Sequence, residues 1–172
     1  MYFSRMKLYV LRHGIAVEPG SPGYENDSTR PLTAEGKREL RHVAAFLRKK
    51  RVRFDRILSS PFRRARQTAE IVARNLKQEK RLDFSVALTP DGDVDVLIRQ
   101  LNAAKPVPEH VLLVGHEPYL SRFVSLLISG GSGADIQLKK GGLCKLGIDT
   151  LHAGHCARLL WLLTPKQMKW MT

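Results

Sequence analysis

The chain has 172 residues, 43% of them hydrophobic, which suits one ordinary domain with a sizeable core and excludes a disordered polymer. Lys and Arg number 29 against 16 Asp and Glu, a formal charge of +13 whose field draws phosphorylated substrates, acidic protein surfaces or nucleic acid. Cys144 and Cys156 show neither metal spacing nor a disulfide framework, residues 1–7 hold no apolar core of signal-peptide length, and no uncharged apolar run reaches the roughly 20 residues that span a bilayer, so a cytoplasmic, reduced, membrane-free protein is expected.

Strand-like and helix-like segments alternate along the chain. Leu8–Leu11 is short and almost wholly apolar, as a strand buried on both faces should be. A segment rich in Gly and Pro runs from Gly14 to Pro31. Thr33 then caps a helix whose apolar stripe is Leu40, Val43, Ala44 and Leu47. The basic run Arg48-Lys49-Lys50-Arg51-Val52-Arg53 reads as its solvated C-terminus, where cations complement the helix dipole. No aromatic residues interleave with that run, as a groove for single-stranded nucleic acid would want.

Phe54–Ser59 predicts a second strand. Ser60 and Pro61 read as the N-cap and first residue of a helix with the stripe Ala65, Ala69, Val72 and Leu76. Phe84, Val86 and Leu88 alternate as a third strand would. After the turn Thr89–Asp93, the residues Val94, Leu97, Ile98 and Leu101 mark a helix, which Asp93 is suited to cap. Val111–Val114 is a fourth strand, and Pro118 opens a helix through Leu120, Phe123, Val124, Leu127 and Ile128 that Gly130-Gly131 ends. Leu143–Ile148 and Ala157–Leu163, around Gly154, predict an antiparallel pair. The expected architecture is a single domain over 1–172: a three-layer α/β/α sandwich with a mostly parallel central sheet and an antiparallel C-terminal strand pair.

The chemistry gathers at strand ends, where open α/β sheets bind their ligands. Arg12-His13-Gly14 follows the first strand. Ser59-Ser60-Pro61 leads from the second strand into a helix whose first turn holds Arg63 and Arg64. His116 follows the fourth strand, within Val114-Gly115-His116-Glu117-Pro118. Two arginines, two histidines and a helix N-terminus in one cleft would offer a phosphate dianion charge, bidentate donors and free backbone N–H groups.

This ordered set resembles the histidine phosphatase superfamily, the phosphoglycerate-mutase-like group. Arg30-Pro31-Leu32-Thr33-x-x-Gly36, Ser60-Pro61-Phe62-x-Arg64-Ala65-x-Gln67-Thr68 and Leu88-Thr89-Pro90-x-Gly92-Asp93 are similar to the SixA-type phosphohistidine phosphatases within it. The similarity runs from about Lys7 to about Ile128 and is weakest in the C-terminal third. The resemblance implies a phosphoglycerate-mutase-like fold, a metal-independent phosphatase without cofactor, and His13 as a nucleophile that becomes transiently phosphorylated. It implies that Arg12 and Arg64 hold phosphoryl oxygens and that His116 hydrogen-bonds the transferring group; Arg63 falls on a variable position.

Elementary chemistry agrees with those roles. Phosphoryl transfer needs positioning and charge stabilisation above all, and a histidine nucleophile splits it into two displacements. His13 must be neutral to attack, so a group such as a backbone carbonyl should accept its other N–H. Asp91 and Asp93 are the candidate general acids, Asp93 equally as a helix cap; Glu117 is a further carboxyl beside His116. An imidazole leaving group is protonated near neutral pH and needs such an acid less than an alkoxide does, which tilts the expected substrate toward phosphohistidine.

Other features have plainer readings. His42 and His110 read as structural, and His152, His155 and Cys156 match no standard zinc spacing. The expected function is hydrolysis of phosphohistidine in a protein such as a phosphotransfer domain. A phosphatase of a small phosphorylated metabolite is the alternative enzyme, and a non-catalytic basic module for phosphoprotein or nucleic acid the alternative class. A monomer is expected, with no specific nucleic-acid partner.

Overall fold

A computed structural model describes residues 5–172; the N-terminal reading above falls in part on 1–4, which lie outside the described residues. Six strands, β1 (Met6–Arg12), β2 (Arg56–Ser59), β3 (Leu82–Phe84), β4 (His110–Gly115), β5 (Leu143–Ile148) and β6 (Ala157–Leu163), form one sheet in the order β3-β2-β4-β1-β5-β6. The first four are mutually parallel, and β5 and β6 add antiparallel to β1. Helices α1 (Ala34–Lys49), α2 (Arg63–Leu76), α3 (Val94–Asn102), α4 (Tyr119–Ser129) and α5 (Pro165–Trp170) cover it.

The period of two in β1 divides the core. Leu8 and Val10 point to the layer of α3 and α4, where they meet Leu97, Leu120 and Phe123. Tyr9 and Leu11 point to the layer of α1, α2 and α5, with Leu40, Ala69 and Met168. Each fully buried Leu contributes about 1.5–3 kcal/mol relative to exposure, so this two-sided burial fixes the register of β1 against β4. The expected three-layer sandwich with an antiparallel tail is therefore the observed one. Among the described residues, no helix is long and apolar enough to cross a membrane.

Three local expectations need correction. The second strand starts at Arg56 and not at Phe54, because the Phe54 N–H is bound by the Gln78 side chain at 2.9 Å instead of a neighbouring strand. The following helix starts at Arg63 and not at Pro61. Ser60 still belongs to the sheet edge, its N–H reaching the Val114 carbonyl at 2.9 Å. The third strand covers Leu82–Phe84, and Val86–Leu88 is a 3-10 turn capped by the Ser85 hydroxyl. The alternation of Phe84, Val86 and Leu88 came from a turn that buries Leu88 and leaves Val86 73% exposed.

α5 was not anticipated. Thr164 and Gln167 form a reciprocal capping box with Pro165 in the first turn, and the helix buries Pro165 and Met168. The sequence signal was present in Thr164-Pro165-x-Gln167. The other caps follow expectation: Thr33 accepts the Gly36 N–H at 3.0 Å, and Asp93 accepts the N–H groups of Asp95 and Val96.

Candidate active site

Strands β2, β4 and β1 are neighbours and end level, with Arg12 opposite Gly115 and Ser59 opposite Val114. One more ladder bond on each side, His13 N–H to Gly115 O at 3.0 Å and Ser60 N–H to Val114 O at 2.9 Å, carries the register past the strand ends. His13, Ser60 and His116 are thereby set side by side at the carboxyl edge. The His13 and His116 ring centroids stand 5.2 Å apart.

The chain leaves β1 under tight constraint. A Cβ on Gly14 would come within 2.8 Å of Leu40 Cδ1, so a larger residue there would have to push the Leu40 side chain of α1 aside. The Gly14 N–H donates to Thr68 Oγ1 at 3.1 Å, and Thr68 in turn donates to the Arg64 carbonyl at 2.7 Å. This buried hydroxyl ties the loop after His13 to the first turn of α2.

His13 is 7% exposed. Its Nδ1 lies 2.7 Å from the Gly14 carbonyl, an acceptor, so Nδ1 carries the proton and donates it. Arg64 Nε–H donates to His13 Nε2 at 3.2 Å, which marks Nε2 as the nitrogen with the free lone pair. Burial pushes the imidazole pKa down to about 3 against the opposing pull of the Gly14 carbonyl; the charges of Arg64, Arg12 and Arg30 lower it further. The ring is thus held neutral in one tautomer.

His116 is 1% exposed and is likewise pushed down to about 3, first by burial, then by His13 and Arg64. Its Nε2 shares a 2.8 Å hydrogen bond with Ser60 Oγ, which also accepts the Phe62 N–H. His116 Nδ1 is buried without a hydrogen-bond partner among the described residues.

The cations arrive from three elements. Arg12, at the end of β1, donates from Nη1 to the Leu138 carbonyl at 2.9 Å, and its Nε is buried without a partner among the described residues. Arg64, in the first turn of α2, is 3% exposed. Its Nη1 and Nη2 donate to the carbonyl and carboxylate of Asp27, at 2.6 and 2.7 Å. Arg30 binds the other carboxylate oxygen of Asp27, at 2.8 and 2.6 Å. Asp27 stays ionised below the usual carboxylate range: burial opposes this, and the two arginines outweigh it.

The structure thus brings Arg12, His13, Arg64 and His116 to one sheet edge. Arg63 is exposed on the first turn of α2. Asp91 is exposed in the turn before α3, and Asp93 spends one carboxylate oxygen on capping; neither hydrogen-bonds or pairs with the four. Glu117 is half-buried, accepts from the Ser121 hydroxyl, and has its pKa raised by burial against the pull of Arg12.

Sequence reasoning missed Asp27, Arg30, Ser60 as a partner of His116, and Thr68. Arg30 and Thr68 stood within quoted motifs, but nothing local marked them as neighbours of His13. Two clefts, of about 600 and 1000 Å³, lie at the opposite end of the sheet beside Arg51 and Arg53.

The profile of the histidine phosphatase superfamily (branch 1) matches residues 8–85, which include His13 and Arg64. An uncharacterized protein of Picosynechococcus sp. is 36% identical over 169 residues, covering 96% of this chain and 99% of that one. The phosphohistidine phosphatase SixA of Escherichia coli is 35% identical over 126 residues, 73% of this chain and 76% of SixA. The solved structure of the protein histidine phosphatase SixA complexed with tungstate superimposes with a TM-score of 0.81 at 30% identity, covering 95% of this chain and all of the other. Shared sequence over most of both chains and a shared sheet place this chain in the histidine phosphatase superfamily, branch 1, as a SixA-type phosphatase, a hydrolase that works without a metal.

Proposed function

We propose that this chain removes phosphoryl groups from histidine side chains of a protein, by way of a covalent phospho-His13. The observation that carries the reading is the state of His13: neutral, its Nδ1–H spent on the Gly14 carbonyl and its Nε2 unprotonated, its lone pair turned to the Arg64 guanidinium at 3.2 Å. In the first displacement Nε2 attacks phosphorus, the P–N bond of the substrate breaks, and the leaving imidazole takes up a proton. In the second, water attacks phospho-His13, its P–N bond breaks, and inorganic phosphate departs with His13 neutral again. Charge spreads over the three equatorial oxygens in both steps. Arg12, Arg64 and His116 are the groups we assign to those oxygens.

Two further facts support the substrate. A SixA structure is complexed with tungstate, a tetrahedral oxyanion like phosphate. The candidate acid Asp93 is engaged in capping, which matters little for an imidazole that takes its proton near neutral pH.

The test is phosphate release from a phosphohistidine-bearing phosphotransfer domain, alongside sugar phosphates and phosphoglycerate. Wild type should favour phosphohistidine, retain base-stable radiolabelled phosphate after rapid quenching, and lose both properties as His13→Ala. An unimpaired His13→Ala variant overturns the mechanism. A strong preference for an ester overturns the substrate and favours a metabolite phosphatase.

A further inference from the structure

Phe62 occupies the N-cap position of α2 without a capping hydrogen bond, where Ser, Thr, Asp or Asn would stabilise the helix. Its ring lies at the junction of the proposed phosphoryl pocket. It meets the His116 ring in a T-shaped contact, centroids 5.3 Å apart and planes at 62°, and the Arg64 guanidinium carbon stands 5.5 Å from its centroid. The residue is half-buried and so is not sealed within the core. Among the described residues, no other Phe, Tyr or Trp ring makes such a contact with His13, Arg64 or His116.

Resting on the phosphohistidine reading above, we infer that Phe62 is the specificity residue of the site, an aromatic platform for the leaving imidazole. In phosphohistidine the ring nitrogen is bonded directly to phosphorus. When the phosphoryl group sits among His13, Arg64 and His116, the substrate ring must lie beside them, within contact distance of whatever forms the wall. A flat aromatic wall suits a flat aromatic leaving group, and a stacked or edge-on pair gains from ring geometry beyond simple burial. An alkyl phosphate or an amine-derived phosphoramidate has no ring to offer, so the contact discriminates by leaving group while the phosphoryl contacts stay common to all substrates.

Phosphoramidate is the matched control: it has the same P–N bond with ammonia as leaving group. The experiment compares kcat/KM for free phosphohistidine and phosphoramidate in wild type, Phe62→Ala and Phe62→Trp, with inhibition by inorganic phosphate as a measure of pocket integrity. Phe62→Ala should cut the phosphohistidine-to-phosphoramidate ratio by about tenfold, with phosphoramidate turnover and phosphate inhibition kept within about twofold. Phe62→Trp should retain the wild-type ratio. An unchanged ratio in Phe62→Ala, or equal losses on both substrates, overturns the inference; equal losses would mean that the ring only props Arg64 and His116. A wild type that cleaves neither P–N substrate overturns the functional reading itself, a distinct outcome.

Discussion

Acid should destabilise this fold through its two buried imidazoles. Burial and neighbouring cations push His13 and His116 from the ordinary 6.5 down to about 3. The unfolded chain therefore binds protons that the folded chain refuses, and stability is complete above pH 6.5 and is lost as pH falls from there toward 3. At pH 5.0 a histidine of pKa 6.5 gains RT ln(1 + 10^1.5) on unfolding, about 2 kcal/mol, while the folded group gains almost nothing. Two such groups remove about 4 kcal/mol between pH 7.5 and 5.0, a large share of a typical domain's stability of about 5–15 kcal/mol. The perturbation is the double variant His13→Gln/His116→Gln, whose amides do not titrate. The assay is urea unfolding followed by tryptophan fluorescence at both pH values. Asp27 and the other carboxylates contribute equally to both proteins, so the difference between the two pH slopes isolates the imidazoles. Wild type should lose about 4 kcal/mol more than the variant. Equal losses would refute the reasoning, because the buried rings would then not be what senses acid.

Three further outcomes follow from contacts around the pocket. Asp27→Ala frees Arg64 Nη2 from the carboxylate it now grips, while Nη1 keeps the backbone carbonyl of residue 27, so inhibition by inorganic phosphate should tighten severalfold; an unchanged inhibition constant would show that the aspartate does not compete with the anion. Thr68→Val removes the hydroxyl joining the Gly14 N–H to the Arg64 carbonyl, and urea denaturation should register a loss of about 1–3 kcal/mol for the buried donor left unmet. Gly36→Ala would put a Cβ 2.1 Å from the Ile15 carbonyl oxygen, forcing α1 away from the loop after His13. Calorimetry should show a fall in Tm of about 2–4 °C for each kcal/mol of an overpacking cost near 1–3 kcal/mol, and a wild-type Tm would contradict the close approach.

The layers and the order of the main elements were legible in the chain itself. Leu8–Leu11 and Val111–Val114 are apolar because both faces of a central parallel strand are covered, and α1 and α3 announce themselves through Thr33 and Asp93, residues that satisfy local N–H groups. Such signals are local, so sequence carries them. The neutral state expected of His13, with a carbonyl accepting its second N–H, follows from what a nucleophile requires, and the Gly14 carbonyl meets it.

Only the tertiary structure decided the rest. Ser60 belongs to the sheet edge because the Val114 carbonyl of a distant strand claims its N–H, and no local pattern reports that. Likewise Asp27 grips Arg64 across 37 positions, and Gly14 reaches Thr68 across 54. By itself, then, the sequence determined which residues are candidates for the chemistry and which strands would present them. The level ending of β2, β4 and β1 determined that they meet, how deeply the imidazoles are buried, and hence that both are held uncharged, because desolvation and proximity are properties of the packed fold and not of any segment.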